Sequence, residues 1–224
     1  MTRELKKHIR YYFWATYRRK ILDKLLKENK HYYKGVVLDI GGRERGKFKK
    51  PKEKVKKWIF ADIEEGHKPD IILDVSNMTS IEDESVDAIN ATELFEHVES
   101  PEKGLRECYR ILKKNGTMIL SAPFLYPIHS DPYDFQRWAE DKWKQVLQEI
   151  GFSIEKFEIM GRYFTVLADM KRTCIKSMPR PLRYVFYLFC PLLDLLVKLD
   201  NLKFVQNHSK LGKFHGGYFI ILRK

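Results

Sequence analysis

An α/β fold on an open, mostly parallel sheet is predicted by three features of this 224-residue chain. A first apolar strand ends in Asp39 and runs straight into Gly41-Gly42. A second ends in Asp62 and a third in Asp74. Beyond them, strand and helix patterns alternate as layered α/β proteins require. Ligands of open parallel sheets bind outside the C-terminal ends of the strands, and an acid after the second strand can accept from both hydroxyls of a ribose. Three carboxylates delivered to that edge predict a nucleoside-containing ligand.

The elements follow in order. Residues 4–30 read as one helix, with Leu5, Ile9, Tyr12, Phe13, Tyr17, Ile21 and Leu25 at helical spacing and Arg/Lys elsewhere. Such a basic, aromatic helix can lie on a membrane surface or pack its stripe on the domain. Residues 36–40 form a buried strand by their continuous aliphatic run. Residues 43–57 carry Pro51 and almost nothing apolar, which predicts a short, irregular, exposed connection rather than a crossover helix. Strands follow at 58–61, 71–73 and 85–90.

A short helical piece at 94–98 precedes a longer helix with Pro101 in its first turn, Leu105, Cys108, Ile111 and Leu112 on its buried face, and a left-handed cap at Asn115-Gly116. His97 reads as a packing residue. A fifth strand spans 117–121, a helix 140–150 closes at Gly151, and strands six and seven span 152–159 and 217–222. The organisation is therefore a basic helical segment at 1–34 and a domain at 35–224 with a helical insertion at 162–214.

Composition bounds the rest. The three cysteines, Cys108, Cys174 and Cys190, are odd in number and widely spaced, against a disulfide scaffold or zinc site and for a reducing compartment. No clustered metal ligands stand out. The charged N-terminus has no apolar centre of a signal peptide, and no run of about 20 apolar residues suggests a span. A cytoplasmic protein is expected. Residues 1–60 hold 20 Lys/Arg against 6 Asp/Glu, whereas the remainder holds 22 against 24. This basic region suits anionic lipid, a phosphate-bearing substrate or nucleic acid, or is simply a solvated surface.

The order of these signals resembles class I S-adenosylmethionine-dependent methyltransferases over residues 35–164, with a last strand at 216–223. The resemblance implies a Rossmann-like, seven-stranded sheet whose last strand is antiparallel and lies between strands five and six, with helices on both faces. Asp39, Ile40 and Gly41 match the start of the family's glycine loop. Gly42 falls one place early and Arg43 stands where a second Gly is usual. That spacing also argues against a nicotinamide dehydrogenase.

The resemblance implies S-adenosyl-L-methionine as cofactor, with Asp39, Gly41 and Gly42 at the loop. It places Asp62 on the ribose, Asp74 and the Val75 backbone at the adenine edge, and Ala91, Thr92 and Glu93 around the methionine moiety. The loop FLYPIHSDPYDFQRW resembles a subgroup associated with polysaccharide or surface-glycan modification. It offers His129 as general base, with Asp134 as its orienting partner or Arg137 as substrate clamp; alternatively Asp134 and Arg137 pair and lock the loop.

The implied activity is O-methylation of a sugar or lipid-linked saccharide at the cytoplasmic membrane face. RNA or protein methylation is a second reading, although ATELF stands where amide- and base-nitrogen methylating relatives often carry Asn-Pro-Pro-aromatic, and no RNA module is recognisable. A non-catalytic, membrane-associated scaffold is a third. Within the insertion, residues 184–199 are very apolar but interrupted by Pro191, Asp194 and Lys198, with Lys171, Arg172, Lys176, Arg180 and Arg183 just ahead. Membrane contact, a lid and a dimer surface compete for that segment.

Overall fold

The computed structural model describes residues 2–42, 46–129 and 132–224. The strands are β1 (Gly35–Ile40), β2 (Val55–Asp62), β3 (Ile71–Ile72), β4 (Val86–Thr92), β5 (Leu112–Pro123), β6 (Ser153–Ile159) and β7 (Gly217–Arg223). They form one seven-stranded sheet in the order β3-β2-β1-β4-β5-β7-β6. β7 runs antiparallel to both β5 and β6, and the pairs among β1 to β5 are parallel. The Rossmann-like methyltransferase arrangement expected from the sequence is the one observed.

Strand alternation sorts the side chains. Leu38, Ile40, Ile89, Ala91, Met118, Leu120, Ile220 and Leu222 pack under α3 (Pro101–Ile111) and α4 (Glu140–Ile150), whose buried face includes Leu105, Cys108, Trp143 and Leu147. The opposite positions Val37, Ala88, Ile119, Phe219 and Ile221 pack against Leu22 and Leu26 of α2 (Tyr17–Glu28). Each fully buried leucine contributes roughly 1.5–3 kcal/mol. α4 ends where expected, at Gly151, whose φ of +110° needs a residue without a Cβ.

Two local expectations change. The predicted helix 4–30 is broken into α1 (Arg3–Trp14) and α2, because Ala15 and Thr16 are extended. Thr16 caps α2 through Arg19 N–H, and the Asp169 carboxylate accepts from the amides of Tyr17 and Arg18 at 2.6 and 3.0 Å. A distant acid thus satisfies orphan helix donors, which favours a new helix start there. α3 stops at Ile111, earlier than the Asn115-Gly116 cap. Asn115 is left-handed (φ +60°), but it lies where the β4–β5 register jumps from Val86↔Leu112 to Ala88↔Thr117. The basic connection between β1 and β2 is without helix over its described residues 46–54; Arg43 lies outside the described residues.

Between β6 and β7 the chain builds α5 (Tyr163–Ser177), α6 (Arg180–Tyr187), α7 (Cys190–Lys198) and α8 (Lys203–Asn207). Asp200 caps α5 by accepting from the amides of Arg162, Phe164 and Thr165. Asp194, an interruption in the apolar run, accepts from the hydroxyls of Tyr12 and Tyr17 and so ties α7 to α1 and α2. Arg172 is buried rather than turned to solvent with its basic neighbours. It donates to the Tyr12 carbonyl and lies over the Tyr12 and Tyr17 rings. Among the described residues, no helix is long and apolar enough to cross a membrane.

Candidate active site

A cavity of about 620 Å³ opens at the C-terminal ends of β1, β2 and β4, within the size range of small-molecule sites. Asp62, Asp74 and Val75 line one side, Gly41 and Glu93 the floor, and His97, Tyr133 and Phe135 the side toward the long loop after β5. Gly41 makes the turn out of β1 with φ +67° and its amide donates to the Ala61 carbonyl at 2.8 Å. The positive φ lets the backbone, without a side chain, face the cavity.

Asp62 accepts from the Glu64 amide at 3.0 Å and lies 3.1 Å from His67 Nδ1. Asp74 accepts from the Ser76 amide at 2.8 Å. Both are held by turns two residues long, which fixes each carboxylate at the cavity wall without a distant partner.

Asp39 is placed differently from the other two strand-end acids. It shares strand parity with Val37, so its side chain turns to the α2 face, and it is not among the cavity-lining residues. It accepts from Asn90 Nδ2 at 2.6 Å, from Trp58 Nε1 at 2.9 Å and from Lys50 Nζ at 2.9 Å, while Tyr33 donates to Asn90 Oδ1 at 2.6 Å. Gly42 is fitted to this cluster: a Cβ there would fall 1.8 Å from Asp39 Oδ1. Gly42, Ala91 and Thr92 do not line the cavity either, and Ala91 is packed into the core beneath α3 and α4.

Glu93, next in the chain, lines the floor in a left-handed conformation (φ +54°). Its amide donates to the Ser121 carbonyl at 2.9 Å and its carboxylate accepts from Ser121 Oγ at 2.9 Å. A buried guanidinium, Arg18 of α2, stands 2.5 Å from the other carboxylate oxygen. Burial alone would raise the Glu93 carboxyl, but Arg18 outweighs it and holds Glu93 below its ordinary value. Arg18 also lies over the Tyr126 ring at 4.4 Å.

The three predicted acceptor-side residues come together beside this floor, though none lines the cavity itself. Arg137 forms a two-point pair with Asp134, and Asp134 accepts from the His129 amide at 2.8 Å. The Arg137 guanidinium holds Asp134 down to about 2. The reading in which this pair locks the loop therefore has its geometry. Burial lowers the pKa of His129, leaving a neutral imidazole near pH 7. Its ring meets that of His97, centroids 5.0 Å apart.

Sequence reasoning missed Arg18, Glu96 and His97. Arg18 lies one and two turns ahead of Leu22, Leu25 and Leu26 on the apolar face of α2, so a charge on a core stripe was its signal. His97 lines the cavity rather than serving packing alone. It and Glu96 follow β4 directly, in a 3₁₀ turn that aims them at the sheet's front edge.

Residues 24–120 match the family described as "Methyltransferase domain". No curated protein matches the chain. A solved S-adenosylmethionine-dependent methyltransferase from Archaeoglobus fulgidus shares the fold over 98% of this chain and 99% of its own, with a TM-score of 0.60 and 18% identity. The structure of the [4+2]-cyclase SpnF is similar over 91% of this chain and 79% of its own, with a TM-score of 0.59 and 16% identity. These likenesses concern the fold, and a fold alone does not fix a reaction. The family match carries chemistry as far as it reaches: residues 24–120 are similar to a methyltransferase domain.

Proposed function

We propose that this chain transfers a methyl group from S-adenosyl-L-methionine to an oxygen of a sugar or lipid-linked saccharide at an anionic membrane surface. The observation that carries the donor half is the cavity at the strand ends, with Asp62 and Asp74 on one wall and His97 on the other. When bound, the cofactor supplies an electrophilic methyl group on a positively charged sulfur. The carboxylates of Asp62, Asp74 and Glu93 favour that charge electrostatically. Asp62 would accept from the ribose hydroxyls, Asp74 and the Val75 backbone would meet the adenine edge, and the cavity-lining backbone at Gly41 would admit the methionine end.

Transfer to an acceptor oxygen would form the oxygen–carbon bond as the carbon–sulfur bond broke, with that electron pair left on the sulfur. The hydroxyl proton would have to leave, and the His129 imidazole, which burial keeps neutral beside the cavity, would receive it. Alignment of the two partners in the cavity accounts for much of the barrier lowering. The experiment is a thermal shift with S-adenosylmethionine and its demethylated product, since a ligand specific to the folded state must stabilise it. Wild type shifts upward and Asp62→Ala shifts little. No shift in wild type favours a non-catalytic scaffold.

The membrane half rests on the insertion. Leu182, Tyr184, Leu188, Leu192, Leu195 and Phe204 are exposed there, Leu188 by 77% and Phe204 by 70%. Exposed Lys171, Arg180, Lys198 and Lys203 lie on the same segment. Exposed apolar side chains that share a segment with exposed cations complement an anionic lipid surface. Deleting 172–212 would also remove Arg172, Asp194 and Asp200, which hold other helices, so point changes test it better. Leu188→Glu/Phe189→Glu/Leu192→Glu should abolish sedimentation with phosphatidylglycerol vesicles. Equal sedimentation of both forms contradicts the reading and favours a lid or a dimer face.

A further inference from the structure

At the corner where the loop after β5 meets the turn after β4, Glu96, His97 and His129 converge, and one potential ligand atom from each lies within 4.8 Å of the others. Glu96 is 2% exposed, and among the described residues neither of its carboxylate oxygens has a hydrogen-bond partner. The same holds for Nε2 of His97, which stands 3.8 Å from Glu96 Oε1, too far for a hydrogen bond. Buried polar atoms are nearly always satisfied, so three orphans facing one point require an explanation.

The tautomer of His97 narrows the explanation. Its Nδ1 faces the Tyr133 carbonyl, which accepts from it, so the proton sits on Nδ1 and the Nε2 lone pair points into the cluster. A histidine whose outer nitrogen is fixed by a carbonyl is the usual second layer of a metal site. Nδ1 of His129 similarly approaches the Pro127 carbonyl at 3.2 Å. A proton shared between Glu96 and His97 would need a closer approach than 3.8 Å, whereas an ion between them would not.

We propose that Glu96, His97 and His129 bind one divalent transition-metal ion at the acceptor side of the cavity. Two imidazoles and one carboxylate suit zinc, cobalt, manganese or iron(II) rather than magnesium or calcium, which prefer oxygen ligands. The positive charge offsets the cost of a carboxylate buried beside Glu93. His97 lines the cavity, so the ion's open positions face the acceptor, where it can hold a hydroxyl oxygen and lower its pKa. His129 then acts as a ligand, and the ion takes over the work of deprotonation. The acceptor role rests on the methyltransferase reading; metal binding itself does not.

The test is a titration of chelator-stripped full-length protein with Co²⁺, followed by its visible absorption bands and by equilibrium dialysis, without any methyl donor. Wild type should take up one equivalent per chain. Glu96→Gln and His129→Ala should each weaken uptake tenfold or more, the former removing the charge and the latter changing a partly exposed loop residue. Near-UV circular dichroism identical to wild type confirms that each variant is folded. Absence of saturable Co²⁺ uptake by wild type overturns the proposal, as does uptake unchanged in both variants, which would place the ion on other histidines. An absent cofactor shift alongside intact Co²⁺ uptake would overturn the methyl-donor reading and leave the metal site standing.

Discussion

The two halves of the sheet's front edge hold their acids in opposite ways. At the β2 and β3 ends, Asp62 and Asp74 are fixed by amides two residues on, and Asp62 by nearby His67. At the β4 and β5 ends, Glu93 depends on Arg18, 75 positions away, and the loop holding Asp134 is locked by Arg137. The first half is a local construction. The second is assembled by tertiary structure, around the buried Arg18 guanidinium. Buried charges without partners are costly, so the second half should be fragile where the first is robust.

The sharpest way to break this contrast is Arg18→Met. It leaves the Glu93 carboxylate, largely shielded at the cavity floor, without its cation and should cost about 2–4 kcal/mol in urea unfolding. Adding Glu93→Gln should restore part of that loss. A cost under about 1 kcal/mol, with no recovery in the double variant, would show that the pair is not what holds the floor together. Next in size is Gly42→Ala, whose Cβ would displace the Asp39 carboxylate from Asn90 and Trp58. Overpacking of this kind costs about 1–3 kcal/mol, again read by urea unfolding, and an unchanged midpoint would mean that the Asp39 cluster yields freely.

A smaller effect separates the local half. Ser76→Ala keeps the amide that Asp74 accepts from and should change stability by less than about 0.5 kcal/mol; a larger change would deny that this half is built from backbone turns. The smallest lies outside both halves. Arg110 holds the Glu107 carboxyl below its ordinary value, so this stabilisation is present above the usual glutamate pKa of about 4.3 and is lost as pH falls below it. Glu107→Gln should flatten the acid side of the stability profile slightly, and an unaltered profile would remove the pair from the acid response.

This contrast also explains what the sequence made legible. Strand-end acids and the Gly41 turn are local patterns, so β1, β2 and the Asp62–Asp74 wall could be read directly. The parity of Asp39 could have been read as well: it shares a face with Val37, away from Ile40. The break at Thr16 was legible only in part: Thr16 is a local cap, but the acid that accepts from the Tyr17 and Arg18 amides is Asp169, from the insertion. The same holds for Arg172, which reads as one of a basic run but is buried under Tyr12 and Tyr17. Glu96 and His97 were visible as a dipeptide after β4. Only the fold of the loop after β5 brings His129 to them.

Isothermal titration of the wild-type protein with S-adenosylhomocysteine, repeated for Asp62→Ala, tests the central claim most directly. One saturating event per chain is expected in wild type. Its affinity should fall about tenfold or more in the variant, in line with the roughly 1.5–3 kcal/mol of a charged hydrogen bond. No heat with wild type, or identical isotherms for the two proteins, would contradict the assignment of this cavity to the methyl donor.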